Sequence, residues 1–110
     1  MDLEQIIFTI ISYSGDARSD CFEALKYAKN GSFSEAEDCI KKANEKLLEA
    51  HHVQTDMLQK EALGDRRQVT LLLMHAEDHL MTAILAKELI GEMVELYKTI
   101  YQREGDFANA

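Results

Sequence analysis

Residues 68–104 read QVTLLLMHAEDHLMTAILAKELIGEMVELYKTIYQRE, a stretch that holds no proline and a single glycine. Its apolar residues recur at helical spacing, which predicts one continuous helix. At about 1.5 Å per residue this helix would be about 55 Å long, whereas a small domain is about 30 Å across. One compact three-helix chain cannot cover the whole flank of such a helix. The sequence therefore predicts an oligomer.

Two more helices are predicted before this stretch. Asp2 can cap the first of them, and Asn30-Gly31 ends it because glycine readily adopts the left-handed conformation after a helix end. Gly15 interrupts its pattern, which indicates a slight bend or a close approach to another helix. The second helix is predicted to begin at Ser34, which with Glu37 matches a capping box.

Gly64 ends the second helix, and residues 65–68 offer the cap of the third. The predicted helices cover about 3–30, 34–63 and 68–104, with a loose tail over 105–110. Because the loops are short, consecutive helices should be antiparallel. The prediction is a single all-α domain over 1–110, made of three long antiparallel helices per subunit that assemble into a larger bundle.

Composition narrows the classes of partner and the compartment. The formal net charge is −8, which disfavours binding to nucleic-acid phosphates or anionic lipid. Cys21 and Cys39 lie within helical patterns and read as buried thiols in a reducing compartment. The first residues lack the basic character of a signal peptide, and no segment reaches the roughly 20 apolar residues of a membrane span. We expect a cytoplasmic protein.

The third helix has a polar and an apolar side when its residues are placed at about 100° intervals. The predicted solvent-facing residues are Glu77, Lys87, Glu88, Glu92, Glu95, Lys98 and Thr99. The predicted buried residues are Leu71, Leu72, Ala86, Leu89, Met93, Leu96, Tyr97 and Ile100. In the middle of the buried side stand four polar residues at i, i+3, i+4 and i+7, namely His75, Asp78, His79 and Thr82. Burying an ionised aspartate costs several kcal/mol unless it is paired or bound to metal, so packing alone does not explain this patch.

Three interpretations of the patch remain open. It can be a satisfied polar layer that fixes helix register, as a buried asparagine does in a coiled coil. It can be a metal site, since His75 and His79 are one turn apart, although Ala76 stands where the metalloprotease motif has glutamate. It can also be a nucleophilic histidine beside a carboxylate, because imidazole accepts phosphoryl groups near neutral pH.

Residues 69–83, VTLLLMHAEDHLMTA, resemble the active segment of the IIA components of the lactose/cellobiose type of bacterial sugar phosphotransferase system. The segments 15–19 (GDARS), 31–33 (GSF) and 50–55 (AHHVQT) look like the other signatures of that family, in the same order. The resemblance covers about residues 3–104. It implies a homotrimer of three-helix subunits with the third helices packed about the axis.

The resemblance also implies a transferase function in sugar transport. His75 would accept a phosphoryl group from HPr and pass it, as a phosphohistidine relay, to a cysteine of the IIB component. The sugar carried through IIC would be a β-glucoside-type disaccharide such as lactose, cellobiose or chitobiose. Three copies of Asp78 would hold one divalent cation, most suitably Mg²⁺, near the three-fold axis. The family commonly has glutamine in place of Glu77, a departure that we expect to alter partner electrostatics without abolishing the chemistry.

Supporting roles are expected for other polar residues. His79 can bond the phosphoryl oxygens or fix the tautomer of His75, and Thr82 can supply a hydroxyl. On resemblance alone, Gln54 is expected to line an intersubunit groove that exposes His75 to partner proteins. His51 and His52 should lie on a solvated face of the second helix. A histidine phosphotransfer module of two-component signalling is an alternative, but it usually has lysine and glycine where Asp78 and His79 stand. A structural bundle with a buried polar or metal-binding layer is another.

Overall fold

The computed structural model describes residues 1–108, with side chains described for 1–105. It contains three helices, α1 (Leu3–Lys29), α2 (Phe33–Ala62) and α3 (Leu71–Ala108). They form a rod of 65 × 20 × 20 Å. The all-α prediction of three long helices is confirmed. No helix within the described residues has the length and apolar content that crossing a membrane requires.

Both ends of α1 follow the predicted local chemistry. Asp2 and Gln5 form a reciprocal capping box at the start. At the other end Gly31 has a φ of +79°, the N–H of Gly31 donates to the carbonyl of Ala28 at 3.1 Å, and the N–H of Ser32 donates to that of Tyr27 at 2.9 Å. These two bonds are the Schellman motif, which requires a left-handed residue at that position. The structure therefore confirms that α1 begins after Asp2 and ends before Gly31, as predicted.

The predicted start of α2 is wrong by one residue, and the predicted capping box is absent. Ser32 is the N-cap, Phe33 is the first helical residue, and no side chain caps the end. The side chain of Glu37 bonds Lys98 of α3 and therefore does not return to its own helix start. The other end is as predicted, because Gly64, with a φ of +99°, follows the last turn.

The bounds of α3 differ from the prediction at both ends. Thr70, which lies after the predicted cap at 65–68, accepts a bond from the N–H of Leu73 at 3.1 Å through its hydroxyl oxygen. The helix therefore begins at Leu71 and not at Gln68. It also continues to Ala108, so the predicted loose tail is helical over 105–108. Residues 109 and 110 of that tail lie outside the described part of the chain.

The face of α3 that packs into this chain is not the one predicted. Its buried side is formed by Leu73, Ala76, Leu80, Ala83, Ile90 and Val94. Six large residues predicted as buried are exposed, namely Leu71, Leu72, Leu89, Met93, Leu96 and Ile100. The buried side includes two alanines, which carry little hydropathy signal, so the sequence pattern indicated the opposite side of the helix with its large apolar residues.

One of the two expectations for Gly15 is not met within the chain. A Cβ built on Gly15 would meet no atom within 4 Å, so this glycine does not mark a close helix contact within the chain, and the slight bend stays a prediction. Phe22, also on α1, is half exposed. Both cysteines are free thiols, as predicted, but only Cys21 is buried as predicted, whereas Cys39 is half-buried. Burial raises the pKa of the Cys21 thiol to about 11 and also raises that of Cys39.

Tyr101 ties the far end of α3 to the turn between α1 and α2. Its hydroxyl donates to the carbonyl of Lys29 at 2.8 Å, and its ring meets Phe33 edge-on, with centroids 5.4 Å apart. A Cβ on Gly31 would lie 2.7 Å from this ring, so the ring also requires glycine at that position. At the opposite end Arg67 donates to the carbonyl of Met1 at 3.1 Å. Since these contacts join like ends, α1 and α3 run in parallel.

Candidate functional site

Two histidines meet near the start of α3. The Nε2 atoms of His75 and His79 are 3.1 Å apart, and the rings are edge-on with centroids separated by 4.5 Å. Residues at i and i+4 lie one above the other on a helix, which produces this contact without other support. One Nε2 must carry the proton and the other must offer a lone pair. His75 is exposed and His79 is half-buried, so a partner can reach His75 from outside.

A row of exposed residues follows α3 with spacings that alternate between three and four. We call it the seam: Leu71, His75, Asp78, Thr82, Leu85, Leu89, Glu92 and Leu96. The spacing averages 3.5 residues, the period of a coiled coil. The four residues predicted as one patch are thus adjacent, and three of them belong to the seam itself. In the single chain this patch is on the surface, contrary to the prediction that it is buried.

Asp78 lies near the middle of the polar part of the seam. Its carboxylate makes no hydrogen bond or ion pair within residues 1–105. No group of three or more acidic, histidine or cysteine side chains in the described part of the chain could hold a metal ion. A carboxylate suits a hard cation such as Mg²⁺, but one Asp78 alone does not make a site. A cation here requires carboxylates from other copies of the chain.

Thr82 uses its hydroxyl proton within its own helix. Its Oγ1 donates to the carbonyl of Asp78 at 2.9 Å and approaches that of His79 at 3.2 Å. Such bonds to the preceding turn are usual for threonine in a helix. The predicted hydroxyl contact with a phosphoryl group on His75 would require this proton to leave the backbone.

Gln54 and Glu77 form a contact between α2 and α3. The Gln54 amide is buried, and its Nε2 donates to Oε2 of Glu77. The other carboxylate oxygen, Oε1, is buried and has no hydrogen-bond partner among the described residues. The prediction that Glu77 faces solvent is therefore wrong. Gln54 contacts the side of α3 that faces α2, about 200° of helical rotation from His75.

The remaining histidines are as predicted, because His51 and His52 are exposed on α2. Sequence reasoning missed a groove between α2 and α3 with a volume of about 560 Å³. We call it the methionine groove, since its apolar lining includes Met57, Leu58, Leu73, Met74 and Met81. Glu77 and Asp78 lie at its edge. The feature of the sequence that points to this groove is the pair Met74 and Met81, which are seven residues apart and so lie on the same side of the helix.

Comparison with known proteins agrees with this geometry. The family described as PTS system, lactose/cellobiose specific IIA subunit, matches residues 5–98. The lichenan-specific phosphotransferase enzyme IIA component of Bacillus subtilis is 44% identical over 104 residues, which are 94% of each chain. The crystal structure of the PTS cellobiose-specific enzyme IIA from Bacillus anthracis superposes with a TM-score of 0.88 at 48% identity, covering 93% of this chain and 94% of that one.

A third relative was solved together with a second protein. It is the IIA(chitobiose) chain of the IIA(chitobiose)–HPr complex of Escherichia coli, with a TM-score of 0.80 at 40% identity over 92% of this chain and 98% of that one. Helix arrangement, the histidine pair and the family match over most of the chain point to one assignment. The chain belongs to the lactose/cellobiose-specific IIA family of the sugar phosphotransferase system.

Proposed function

We propose that this chain is a phosphoryl carrier in sugar uptake, which accepts a phosphoryl group on His75 from phosphorylated HPr and passes it to a cysteine of a IIB component. The observation that carries the proposal is the exposed His75 ring held by His79, with 3.1 Å between the Nε2 atoms. A relay site needs an accessible nucleophile in a fixed orientation more than it needs further covalent groups. Among the relatives, the IIA(chitobiose) protein was solved in complex with HPr.

The transfer balances as two displacements. In the first, a lone pair of the His75 imidazole attacks phosphorus, the N–P bond to the donor histidine breaks, and the donor ring leaves with the electron pair. In the second, a IIB thiolate forms an S–P bond and the His75 ring leaves. Before transfer the His79 N–H can donate to the Nε2 lone pair of His75 and hold the ring in place, and it must release that lone pair if Nε2 is to attack. After transfer it can donate to a phosphoryl oxygen and stabilise the charge there.

The seam supports a homotrimer in which three copies of α3 pack in parallel about an axis. Its leucines lie in the interface, and His75, about 60° of helical rotation from Asp78, lies at the margin, where a partner can reach it. A row of 3.5-residue period with leucine at four positions is the pattern of a coiled coil, and here it is unpacked in the single chain. Leu96 on this row is 59% exposed. Exposing so many large apolar side chains along one line is unusual for a protein that stays monomeric. Parallel packing also brings the three copies of Asp78 to the same height.

The donor chemistry of Asp78 fits a cation on that axis. Three bare carboxylates within a few Å would repel one another, and a hard divalent ion such as Mg²⁺ would neutralise them. When bound, the ion would supply positive charge that holds the subunits together. Because it binds only the assembled form, it would also stabilise the folded state by mass action. Asp78 itself would bind the ion, one oxygen donor set from each subunit.

The partners indicate where and on what the carrier works. Exchange with HPr and IIB supports a cytoplasmic location, where two free cysteines are also expected. The relatives are named for lichenan and cellobiose, and one structure is of the chitobiose branch. We therefore propose that the transported sugar is a β-linked disaccharide or short oligosaccharide.

Transfer from phosphorylated HPr tests the proposal directly. The chain is incubated with phosphorylated HPr, and the acid-labile adduct is located by mass spectrometry in wild type, His75→Ala and His79→Ala. We expect full labelling of wild type, none of His75→Ala, and slower labelling of His79→Ala by about 10- to 100-fold, since it keeps the nucleophile but loses a positioning hydrogen bond. His51→Ala, an exposed histidine on α2, is the matched control and should label like wild type.

Two results would overturn the assignment. Labelling of His75→Ala at another histidine would move the nucleophile. No labelling of wild type by an active donor would reject the relay and leave a structural bundle as the function of the polar row.

A further inference from the structure

The seam divides the surface of α3 into two flanks that face different helices. Glu77 lies on the flank toward α2, as its contact with Gln54 shows, and Met74 and Met81 are on the same flank. His79 lies on the other flank, toward α1. In a cyclic trimer every subunit presents one flank to the opposite flank of the next subunit, because the interface is heterologous. The α1 side of one copy therefore faces the methionine groove of its neighbour.

Phe8 is the most exposed aromatic side chain among the described residues, at 72%. It lies about 120° around α1 from Asp20, and Asp20 pairs with Lys46 of α2 at 2.7 Å. Phe8 thus points away from α2 and from the buried residues of α1, where a neighbouring subunit can contact it. No contact among the described residues accounts for a phenylalanine at this position.

Measured along the helix axes, the position of Phe8 corresponds to one end of the methionine groove. The bond from Tyr101 to the Lys29 carbonyl joins residues 72 positions apart on the parallel helices α1 and α3. Both helices are continuous and have the same rise per residue, so this offset places Phe8 beside Leu80. The groove is lined by residues 69–81, from just before α3 through its first three turns. Cyclic symmetry keeps equivalent residues at the same height, so Phe8 of one subunit stands level with the Met81 end of the groove of the next.

The groove is chemically suited to an aromatic ring. Three methionines line it, and thioether sulfur makes favourable contacts with ring edges. Its volume of about 560 Å³ is large enough for a phenyl side chain. Gly15 lies two turns after Phe8 on nearly the same side of α1 and has open space around it. A glycine there costs about 1 kcal/mol in helix propensity, and a neighbouring subunit that approaches α1 closely would make use of the missing side chain.

We infer that Phe8 of each subunit inserts into the methionine groove of the adjacent subunit and completes the wall of the site beside Glu77 and Asp78. The inference rests on the proposed trimer and adds to it a residue in trans. The site of each chain is then incomplete without its neighbour. Phe8 is a positioning residue, because it contacts the groove and not the phosphoryl group.

The chain contains no tryptophan, so Phe8→Trp introduces a single indole reporter at the proposed contact. In the intact assembly its emission should be blue-shifted and poorly quenched by acrylamide. Adding Leu89→Asp, which places a charge on the seam and separates the subunits, should move the emission to that of a water-exposed indole. Tyr13→Trp is the matched control, since Tyr13 lies on the α2 side of the same helix, and its emission should not change on dissociation.

A second variant measures the contribution of the contact. Phe8→Ala should weaken the assembly at least about tenfold, as expected for exposing a buried phenyl ring. Met81→Ala should also weaken it, and the double variant should lose less than the product of the two effects, because both remove the same contact.

The failure of this inference can be told apart from the failure of the proposed function. Mass by light scattering and phosphoryl uptake from phosphorylated HPr are measured on the same samples. A trimer that takes up phosphate while the indole at position 8 stays water-exposed would overturn the inference alone. A wild-type chain that is monomeric at every concentration would overturn both the trimer and the inference, whereas phosphoryl uptake by that monomer would still uphold His75.

Discussion

The two long faces of α3 both carry apolar side chains but differ in their polar content. The face toward α1 and α2 is apolar throughout, and its buried residues are Leu73, Ala76, Leu80, Ala83, Ile90 and Val94. The seam combines four leucines with His75, Asp78, Thr82 and Glu92, and it is exposed. The wholly apolar face fills the core of the chain, whereas the mixed face remains available to other chains. One helix thus serves two sets of partners.

The same substitution made on both faces tests whether one stabilises the single chain and the other stabilises the assembly. Leu80→Ala removes a fully buried side chain and should lower the free energy of unfolding by about 2–5 kcal/mol at any protein concentration. Leu96→Ala should lower it only where subunits are associated, and have little effect in dilute solution. Urea unfolding followed by circular dichroism at two protein concentrations measures both. Equal effects of Leu96→Ala at high and low concentration would contradict the separation of the faces.

The polar part of the seam offers a test by metal removal. If three copies of Asp78 hold Mg²⁺, a free concentration 100 times the Kd stabilises the trimer by about 2.7 kcal/mol, and chelation with EDTA removes this. Thermal unfolding should then shift to lower temperature for wild type. Asp78→Ala should unfold at one temperature with or without Mg²⁺, and above metal-free wild type because the like charges are gone. Wild type that ignores both Mg²⁺ and EDTA would contradict an axial cation.

Glu77 sharpens the comparison at the boundary between the faces. Its Oε1 is buried without a partner in the described part of the chain, although Oε2 accepts from Gln54. Glu77→Gln should raise the free energy of unfolding by about 1 kcal/mol, because an amide is less costly than a carboxylate to remove from water. Urea unfolding measures the change, with exposed Glu88→Gln as the control. A loss of stability would show that the carboxylate has a partner from another subunit.

The last effect concerns α1; it is absent at neutral pH and appears only at alkaline pH. Burial raises the pKa of Cys21 from 9.0 to about 11. In the unfolded chain the thiol loses its proton at lower pH than in the folded chain, so stability should fall between about pH 9 and pH 11 and be unaffected at neutral pH. Cys21→Ala removes this part of the alkaline loss. The measurement is the midpoint of urea unfolding across that range, and an unchanged pH profile in the variant would contradict it.

The sequence was sufficient for elements that depend on local chemistry. Asp2, Gly31 and Gly64 act within one or two turns of themselves, and each was predicted correctly. Ser34 was not, because the glutamate of its supposed capping box bonds Lys98, which is distant along the chain. The same reason explains Glu77, whose orientation depends on Gln54 of another helix. A single polar contact between the side chains of two helices produces no periodic pattern in the sequence.

The candidate site was predicted in part. His75, Asp78, His79 and Thr82 form one patch, as their spacing indicated, because helical geometry alone fixes it. The methionine groove could not be predicted, since it depends on how far α2 stands from α3. Two apolar faces on one helix also gave no indication of which would pack inside the chain. The sequence prediction followed the large apolar residues, whereas the face that packs inside also uses Ala76 and Ala83.

The Tyr101 hydroxyl fixes the position of α1 relative to α3 along the helix axes. It is anchored to the Lys29 carbonyl about 35 Å from the histidines, by about 1.5 Å per residue along α3. The helix α1 can slide along α3 only if this bond breaks. A slip of one turn would be about 5.4 Å, enough to carry a side chain near the start of α1 past the cavity it would otherwise meet on an adjacent copy. A hydrogen bond inside each subunit thus sets the level at which α1 meets the adjacent subunit. A small shift at the C-terminal end of α3 would misalign the contacts at the opposite end of the assembly.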